Sequence, residues 1–185
     1  MVKIDIYDAI KDIEFPNLIS VDAVNETEET FPIEIYAVSE KSSIGCLVNF
    51  LEINRWEHIS KDYVFEHFIS DRNIIDVGTF PEEICEKLNN LFSGKVVYSN
   101  RKDRVEMLLD ELFFVTGQQR KFVVYEFDSL LKQTLIDFGF NQQDIPAFIN
   151  QIKLQANEQF VYFKDGVFAM LHYQAIWFFL LSHLK

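Results

Sequence analysis

Glycine is sparse in this sequence, with only six in 185 residues and no two closer than 16 residues. A loop that cradles phosphate needs glycines within a few residues of one another, because the backbone must approach the anion closely. The sequence therefore excludes a P-loop and a dinucleotide-binding fingerprint. This removes the commonest nucleotide-dependent enzymes, and we expect no cofactor.

Cysteine is almost as rare. Cys46 and Cys85 lie 39 residues apart, with no metal-binding or redox spacing around them. Apolar residues adjoin both, and in such surroundings a thiol usually behaves as a small buried hydrophobe. No basic and apolar leader segment opens the chain, since Asp5 falls within its first seven residues. We therefore expect a reduced, cytoplasmic protein.

Local catalytic and metal-binding motifs are missing as well. The sequence has no Gly-x-Ser-x-Gly nucleophile elbow and no His-Glu-x-x-His run. The pairs Glu57-His58 and Glu66-His67 are nine residues apart, so they cannot share one helical face. We expect no catalytic residue and no metal site, and only an enzyme that assembles Asp, Glu and His from distant positions stays open.

Positive charge is scarce in the first half of the chain. The formal net charge is −12, and residues 1–92 carry all of it, with 19 Asp and Glu against 7 Lys and Arg. Residues 93–185 hold 10 of each sign. Such a field repels nucleic acid and anionic membranes and attracts cationic partners. Basic residues cluster only at 101–104 and 120–121, and Asp103 within the first cluster favours a salt-bridged surface there.

Apolar residues are plentiful, at 49% of the chain, and their spacing predicts the secondary structure. Residues 2–6, 17–24 and 31–39 alternate apolar and polar side chains, which is typical of β-strands. The polar run 25–29 joins the last two into a β-hairpin with an acidic loop. Residues 44–53 predict a further strand, although part of this run also suits a helix.

Helical signals dominate from residue 60 onward. A short helix follows Ser60, and Thr79 with Glu82 predicts a capping box for a second helix that ends before Gly94. The clearest helix begins near Asn100 and ends at Gly117. Its apolar stripe comprises Val105, Leu108, Leu109 and Leu112. Strand-like runs cover 95–99 and 121–127, and helices cover 128–138 and about 141–152. These elements predict one α+β domain over residues 1–185.

The last segment, residues 167–184, contains no formal charge and is long enough to suggest a membrane helix. Asp165-Gly166 before it is a hairpin signal, with apolar runs at 160–163 and 167–170 on either side. From Tyr173 to Leu184 the apolar residues fall on one helical face. We therefore expect a C-terminal hairpin plus a core helix, with a membrane tail anchor as the alternative.

Six residues are candidates for partner binding. Trp56 lies in the polar stretch 54–58, where an exposed Trp would serve as an interface anchor, whereas a Trp folded onto the core is the alternative. The other five are acids in and around the predicted hairpin loop: Asp22, Glu26, Glu28, Glu29 and Glu34. Together they predict a surface that attracts a basic partner.

These features predict a non-catalytic, acidic binding protein. The class that fits best is an inhibitor of a basic protein, such as an antitoxin or immunity protein that neutralises a nuclease toxin, because an acidic surface complements the basic cleft that a nuclease needs. Two alternatives are a small enzyme with an Asp/Glu/His site that has no local motif, and a structural or adaptor subunit. The sequence leaves the partner and the oligomeric state open.

Overall fold

The computed structural model describes residues 14–23, 30–51, 53–56, 71–159 and 166–184. The predicted opening strand at residues 2–6, the acidic loop residues Glu26, Glu28 and Glu29, and the predicted helix after Ser60 lie outside the described residues.

A five-stranded mixed sheet organises the described parts of the chain, in the order β3-β2-β1-β4-β5. Strands β1, β2 and β3 form an antiparallel meander, whereas β1 pairs parallel with β4 and β4 pairs parallel with β5. The five strands are β1 Leu18–Ala23, β2 Pro32–Val38, β3 Ser43–Leu47, β4 Val96–Ser99 and β5 Val123–Glu126. The two predicted strands of the hairpin are thereby confirmed, and the strand predicted over residues 44–53 is confirmed up to Leu47. Because β1, β3, β4 and β5 point the same way, their carboxyl ends share one side of the sheet, here called the carboxyl edge.

Helices cover both faces of this sheet. The six described helices are α1 Asp71–Val77, α2 Pro81–Phe92, α3 Lys102–Thr116, α4 Phe127–Asp137, α5 Ile145–Gln159 and α6 Gly166–His183. The first three pack on one face and the last three on the other. The α+β class is confirmed.

Strand β1 is buried on both sides, and its side chains point alternately into the cores on the two faces of the sheet. Ile19 and Val21 belong to the core beneath α2 and α3, whereas Leu18 belongs to the core beneath α6. Complete burial of such side chains stabilises the fold by about 1.5–3 kcal/mol each. The central strand therefore fixes where the loops of the carboxyl edge meet.

Helix α3 follows its sequence closely. Its predicted stripe is buried, and Gly117 caps its end in the left-handed conformation with φ of 63°. The capping box predicted for α2 is wrong, because Phe80 occupies the N-cap position and Pro81 begins the helix. Thr79 instead donates its backbone N–H to the Leu47 carbonyl oxygen, at 2.8 Å, and extends the end of β3.

The predicted C-terminal hairpin is wrong in its second half. Residues 167–170 begin helix α6 and form no strand. Met170, three residues before Tyr173, is buried in the same core, so the apolar stripe starts one turn earlier than the sequence suggested. The first run of that hairpin, residues 160–163, lies outside the described residues. Among the described residues, no helix combines the length and apolar character that crossing a bilayer requires.

Candidate functional site

Acidic residues gather at the carboxyl edge. Asp22 near the end of β1 lies directly opposite Glu34 near the start of β2, so two carboxylates share one face of the hairpin. Like charges opposite each other weaken a strand pair. The pKa of the neighbouring Tyr36 hydroxyl is raised, first by burial and then by the charges of Glu34 and Asp22.

The three remaining acids of the predicted site lie outside the described residues. Glu26, Glu28 and Glu29 precede Thr30 by four residues or fewer. Thr30 itself lines a groove at this edge.

That groove, with a volume of about 630 Å³, runs along the exposed side of α3. We call it the acidic groove, since four carboxylates of α3 line it. Successive members are three, four and one residues apart, so they lie along one side of the helix. Its lining comprises Thr30, Arg55, Asp103, Glu106, Met107, Asp110, Glu111 and Phe114.

Cations of the same chain hold these carboxylates in position. The Lys102 ammonium lies 3.2 Å from Glu106 and 3.5 Å from Asp103, and the Arg120 guanidinium lies 3.1 Å from Asp110. Lys102 and Arg120 belong to the two basic clusters of the sequence, and they form the predicted salt-bridged surface. The groove is therefore an ordered array of charges in which the acids outnumber the bases.

Trp56 is 1% exposed, so the predicted exposed anchor is wrong and the core alternative is correct. Its ring stacks on Phe31, with centroids 4.7 Å apart and planes 11° apart. Its Nε1–H donates to Oε1 of Glu111 at 2.8 Å, and the same oxygen accepts from Nε of Arg55 at 2.7 Å. Trp56 therefore supports the floor of the acidic groove and orients one of its carboxylates.

The exposed aromatic residue of this surface is Phe114, which is 68% exposed. The Arg55 guanidinium lies over its ring, 5.0 Å from the centroid. Sequence reasoning missed Phe114, although a signal was present. Once Leu109, Leu112 and Phe113 fill the buried face of α3, the next residue has to point towards solvent.

A second concavity at the carboxyl edge lies on the opposite face of the sheet and has a volume of about 340 Å³. We call it the polar pocket. Five elements converge on it: the carboxyl ends of β4 and β5, the first turn of α4, and one side each of α5 and α6. Its lining comprises Asn100, Glu126, Asp128, Lys153, Asn157, His172 and Ile176. Carboxyl ends of parallel strands are a common place for ligand sites in α/β sheets.

One ion pair leaves the polar pocket with a net negative charge. The Lys153 ammonium contacts both oxygens of Asp128 at 2.6 Å. Burial raises the pKa of Glu126, which the backbone N–H of Lys102, donating to Oε1 at 3.2 Å, partly offsets. His172 is 3% exposed, and burial together with the charge of Lys153 lowers the pKa of its ring. The lowered pKa favours the uncharged ring, so within the lining the two carboxylates of Glu126 and Asp128 face the single ammonium of Lys153.

A third cleft, of about 550 Å³, lies at the opposite edge of the sheet and lacks this charge excess. Its charged lining residues are Glu14, Glu40, Lys41 and Lys95, and its lining also includes the aromatic residues Tyr98 and Trp177. Its two acids equal its two bases, so it offers no electrostatic preference. Among the described residues, no three of His, Cys, Asp and Glu are grouped as ligands for a metal ion. The pairs Glu57-His58 and Glu66-His67 lie outside the described residues.

Both cysteines are free thiols, and we expect them to react slowly. Burial is the main cause that raises the pKa of Cys46 and of Cys85 to about 11. Because the thiolate is the reactive form, its population below pH 9 falls about 100-fold for a pKa two units above normal. Mass spectrometry after iodoacetamide treatment at pH 8 should find both thiols alkylated far more slowly than in urea. Equal rates in the folded and unfolded protein would contradict this assignment.

No protein-family model matches this chain. The curated proteins likewise include none with significant sequence similarity to it. What supports a function is therefore the carboxyl edge itself, with the acidic groove on one face of the sheet and the polar pocket on the other.

Proposed function

We propose that this protein is a non-catalytic binding protein that engages a basic protein partner through the acidic groove. The observation that carries this proposal is the row of four carboxylates along α3, which ends at the exposed ring of Phe114. Thr30 lines the same groove, and Glu26, Glu28 and Glu29 of the predicted loop shortly precede it in the sequence. The candidate acids Asp22 and Glu34 flank the same loop in sequence but lie on the opposite face of the sheet, so they are not part of the groove.

The partner class that fits best is a nuclease toxin, which makes this chain an antitoxin or immunity protein. An enzyme that cleaves nucleic acid binds phosphates with a basic cleft. An acidic partner associates quickly with such a cleft and occludes it, since complementary charges steer the encounter. The mixed array of the acidic groove adds selectivity, because Arg55, Lys102 and Arg120 repel misplaced cations.

Phe114 is the proposed anchor of this interface. Binding hot spots are enriched in aromatic and Arg side chains surrounded by a polar rim. Phe114 and Arg55 form such a pair, with the carboxylates of α3 around them. The anchor role that the sequence assigned to Trp56 is therefore proposed for Phe114. Trp56 contributes indirectly, because its indole N–H orients the Glu111 carboxylate.

Affinity capture with matched baits tests this proposal. The wild-type chain, immobilised and exposed to extract of the native cell, should retain a basic protein with nuclease activity. The double variant Asp103→Lys, Asp110→Lys should retain less than a tenth of it, because both side chains are exposed in the acidic groove.

The matched control is Asp137→Lys, Glu158→Lys, which changes the net charge equally at the last turns of α4 and α5. Lys is favourable near a helix C-terminus, so this control should fold and retain the partner. Equal retention by both double variants would contradict a role for the groove, and retention of no basic protein would contradict the proposed partner class.

A further inference from the structure

A cleft at the edge of the sheet opposite the acidic groove contains a buried donor that the proposed function does not use. We call this third cleft, of about 550 Å³, the amino-edge cleft, because its lining includes Asn17 and Val96, where β1 and β4 begin. Trp177 of α6 also lines it, and only 2% of that residue is exposed. The indole N–H of Trp is a donor only, and a buried one usually has an acceptor.

The Trp177 N–H has no acceptor within the part of the chain that the structure describes. Trp56, the other tryptophan, donates to Glu111 at 2.8 Å. The Trp177 nitrogen is not one of the unpaired atoms that the protein encloses completely, so it belongs to the small exposed part of the residue. Because Trp177 lines the amino-edge cleft, this donor opens into the cleft, and an acceptor bound there would satisfy it.

Two other polar side chains of the cleft are already engaged. Asn17 Nδ2–H donates to the Val96 carbonyl oxygen at 3.1 Å, and the Ser39 hydroxyl donates to the Ser42 carbonyl oxygen at 3.2 Å. These bonds hold Asn17 and Ser39 in the wall, whereas the Trp177 N–H is left for a bound molecule that accepts a hydrogen bond.

The charges of the amino-edge cleft favour an uncharged ligand. Its charged residues are all exposed, two of each sign: Glu14, Glu40, Lys41 and Lys95. Its apolar residues are buried or half-buried: Phe15, Pro16, Val96 and Leu130. An ion would meet attraction and repulsion in equal number and would lose its hydration, whereas an uncharged molecule loses far less on entering. The volume of about 550 Å³ lies within the range for small-molecule sites.

We propose that the amino-edge cleft is a binding site for a small uncharged organic molecule that presents a carbonyl oxygen to the Trp177 N–H and an apolar body to Phe15 and Leu130. The cleft shares no lining residue with the acidic groove, so this proposal and the proposed function can fail separately.

NMR of the ¹⁵N-labelled protein tests the proposal, with Trp56 as an internal control. Phenylacetamide is an uncharged probe that carries a carbonyl oxygen and an aromatic ring. It should shift the indole N–H signal of Trp177, with saturation at millimolar concentration, and leave the indole signal of Trp56 in place. The spectrum of Trp56→Phe identifies which signal belongs to Trp177. No shift at Trp177, or equal shifts at both indoles, would overturn the proposal.

Charged analogues of the probe test the selectivity. Phenylacetate and phenethylammonium keep the aromatic ring and carry opposite charges, and both should bind about three-fold or more weakly than phenylacetamide. An ion that binds as well as the amide would contradict an uncharged ligand. Glu14→Gln removes one of the two acids, so it should strengthen phenylacetate binding about two-fold and leave phenylacetamide binding unchanged.

Two substitutions in the cleft complete the test. Trp177→Phe removes the donor, keeps an aromatic ring and should weaken phenylacetamide binding about five-fold, the effect of one hydrogen bond. Leu130→Gln puts an amide in place of a half-buried apolar side chain of α4 and should weaken binding by a similar factor. The matched control is Lys132→Gln, exposed on the same helix and outside the cleft, which should bind as wild type does. Unchanged binding in whichever of the two cleft variants folds would overturn the proposal.

Discussion

Replacing Trp56 by Ala should destabilise the fold by about 3–5 kcal/mol, the range found for large aromatic side chains deleted from a core. The ring is almost fully buried and stacks on Phe31, which also packs against Phe50 at 4.9 Å. Ala leaves a cavity beside both rings and removes the hydrogen bond to Glu111. Urea unfolding followed by circular dichroism at 222 nm measures the difference in the free energy of unfolding.

Trp56→Phe separates packing from hydrogen bonding. Phe preserves an aromatic ring in the stack but removes the Nε1–H donor, so we expect a loss of about 1–2 kcal/mol. Glu111→Gln keeps an acceptor for the indole and tests the charge of the carboxylate alone. A Trp56→Ala variant as stable as wild type would show that the ring is not part of the core.

The sequence was most informative where one face of an element is buried. Ile33, Ile35 and Ala37 alternate with polar residues, and their burial beneath α2 and α3 explains why this pattern predicted β2. The stripe of α3 was equally clear, because its spacing follows the helical repeat. These signals are local, and each depends on a single buried face.

Non-local pairing could not be predicted in this way. The parallel contact between β1 and β4 joins Leu18 to Tyr98, and nothing near either residue indicates it. The burial of Trp56 likewise depends on a contact between residues far apart in the sequence. Its polar neighbours suggested exposure, whereas its hydrogen-bond acceptor, Glu111, lies 55 residues further along the chain.

The polar pocket was also beyond local sequence reasoning. Asn100, Glu126, Lys153 and His172 come from four elements, and no two of them form a motif. The hairpin expected at Asp165-Gly166 failed for a related reason. Gly166 begins a helix whose apolar residues fill the core under α4 and α5, and that burial outweighs the local turn preference.

Charge reversal in the acidic groove should slow association with the basic partner about ten-fold or more at low salt. Asp103→Lys, Asp110→Lys turns two exposed carboxylates of α3 into cations, which reverses the local field that an approaching basic surface meets. Glu26→Lys, Glu28→Lys, Glu29→Lys makes the same kind of change in the predicted acidic loop. Exposed charges act on the encounter more than on the lifetime of the complex, so the dissociation rate should change little.

Stopped-flow kinetics with the captured partner across a salt series checks this expectation. The difference between wild type and each variant should shrink as the screening length contracts to about 8 Å at physiological ionic strength. Asp137→Lys, Glu158→Lys matches the double variant in net charge, so a slow rate for that control would assign the effect to total charge and not to the groove. If neither the charge reversal nor the salt concentration changes the association rate, the electrostatic support for an inhibitor of a basic protein is lost. The Trp56 variants add a second criterion, because Trp56→Phe loosens Glu111 without altering any charge and should leave the salt dependence of association unchanged.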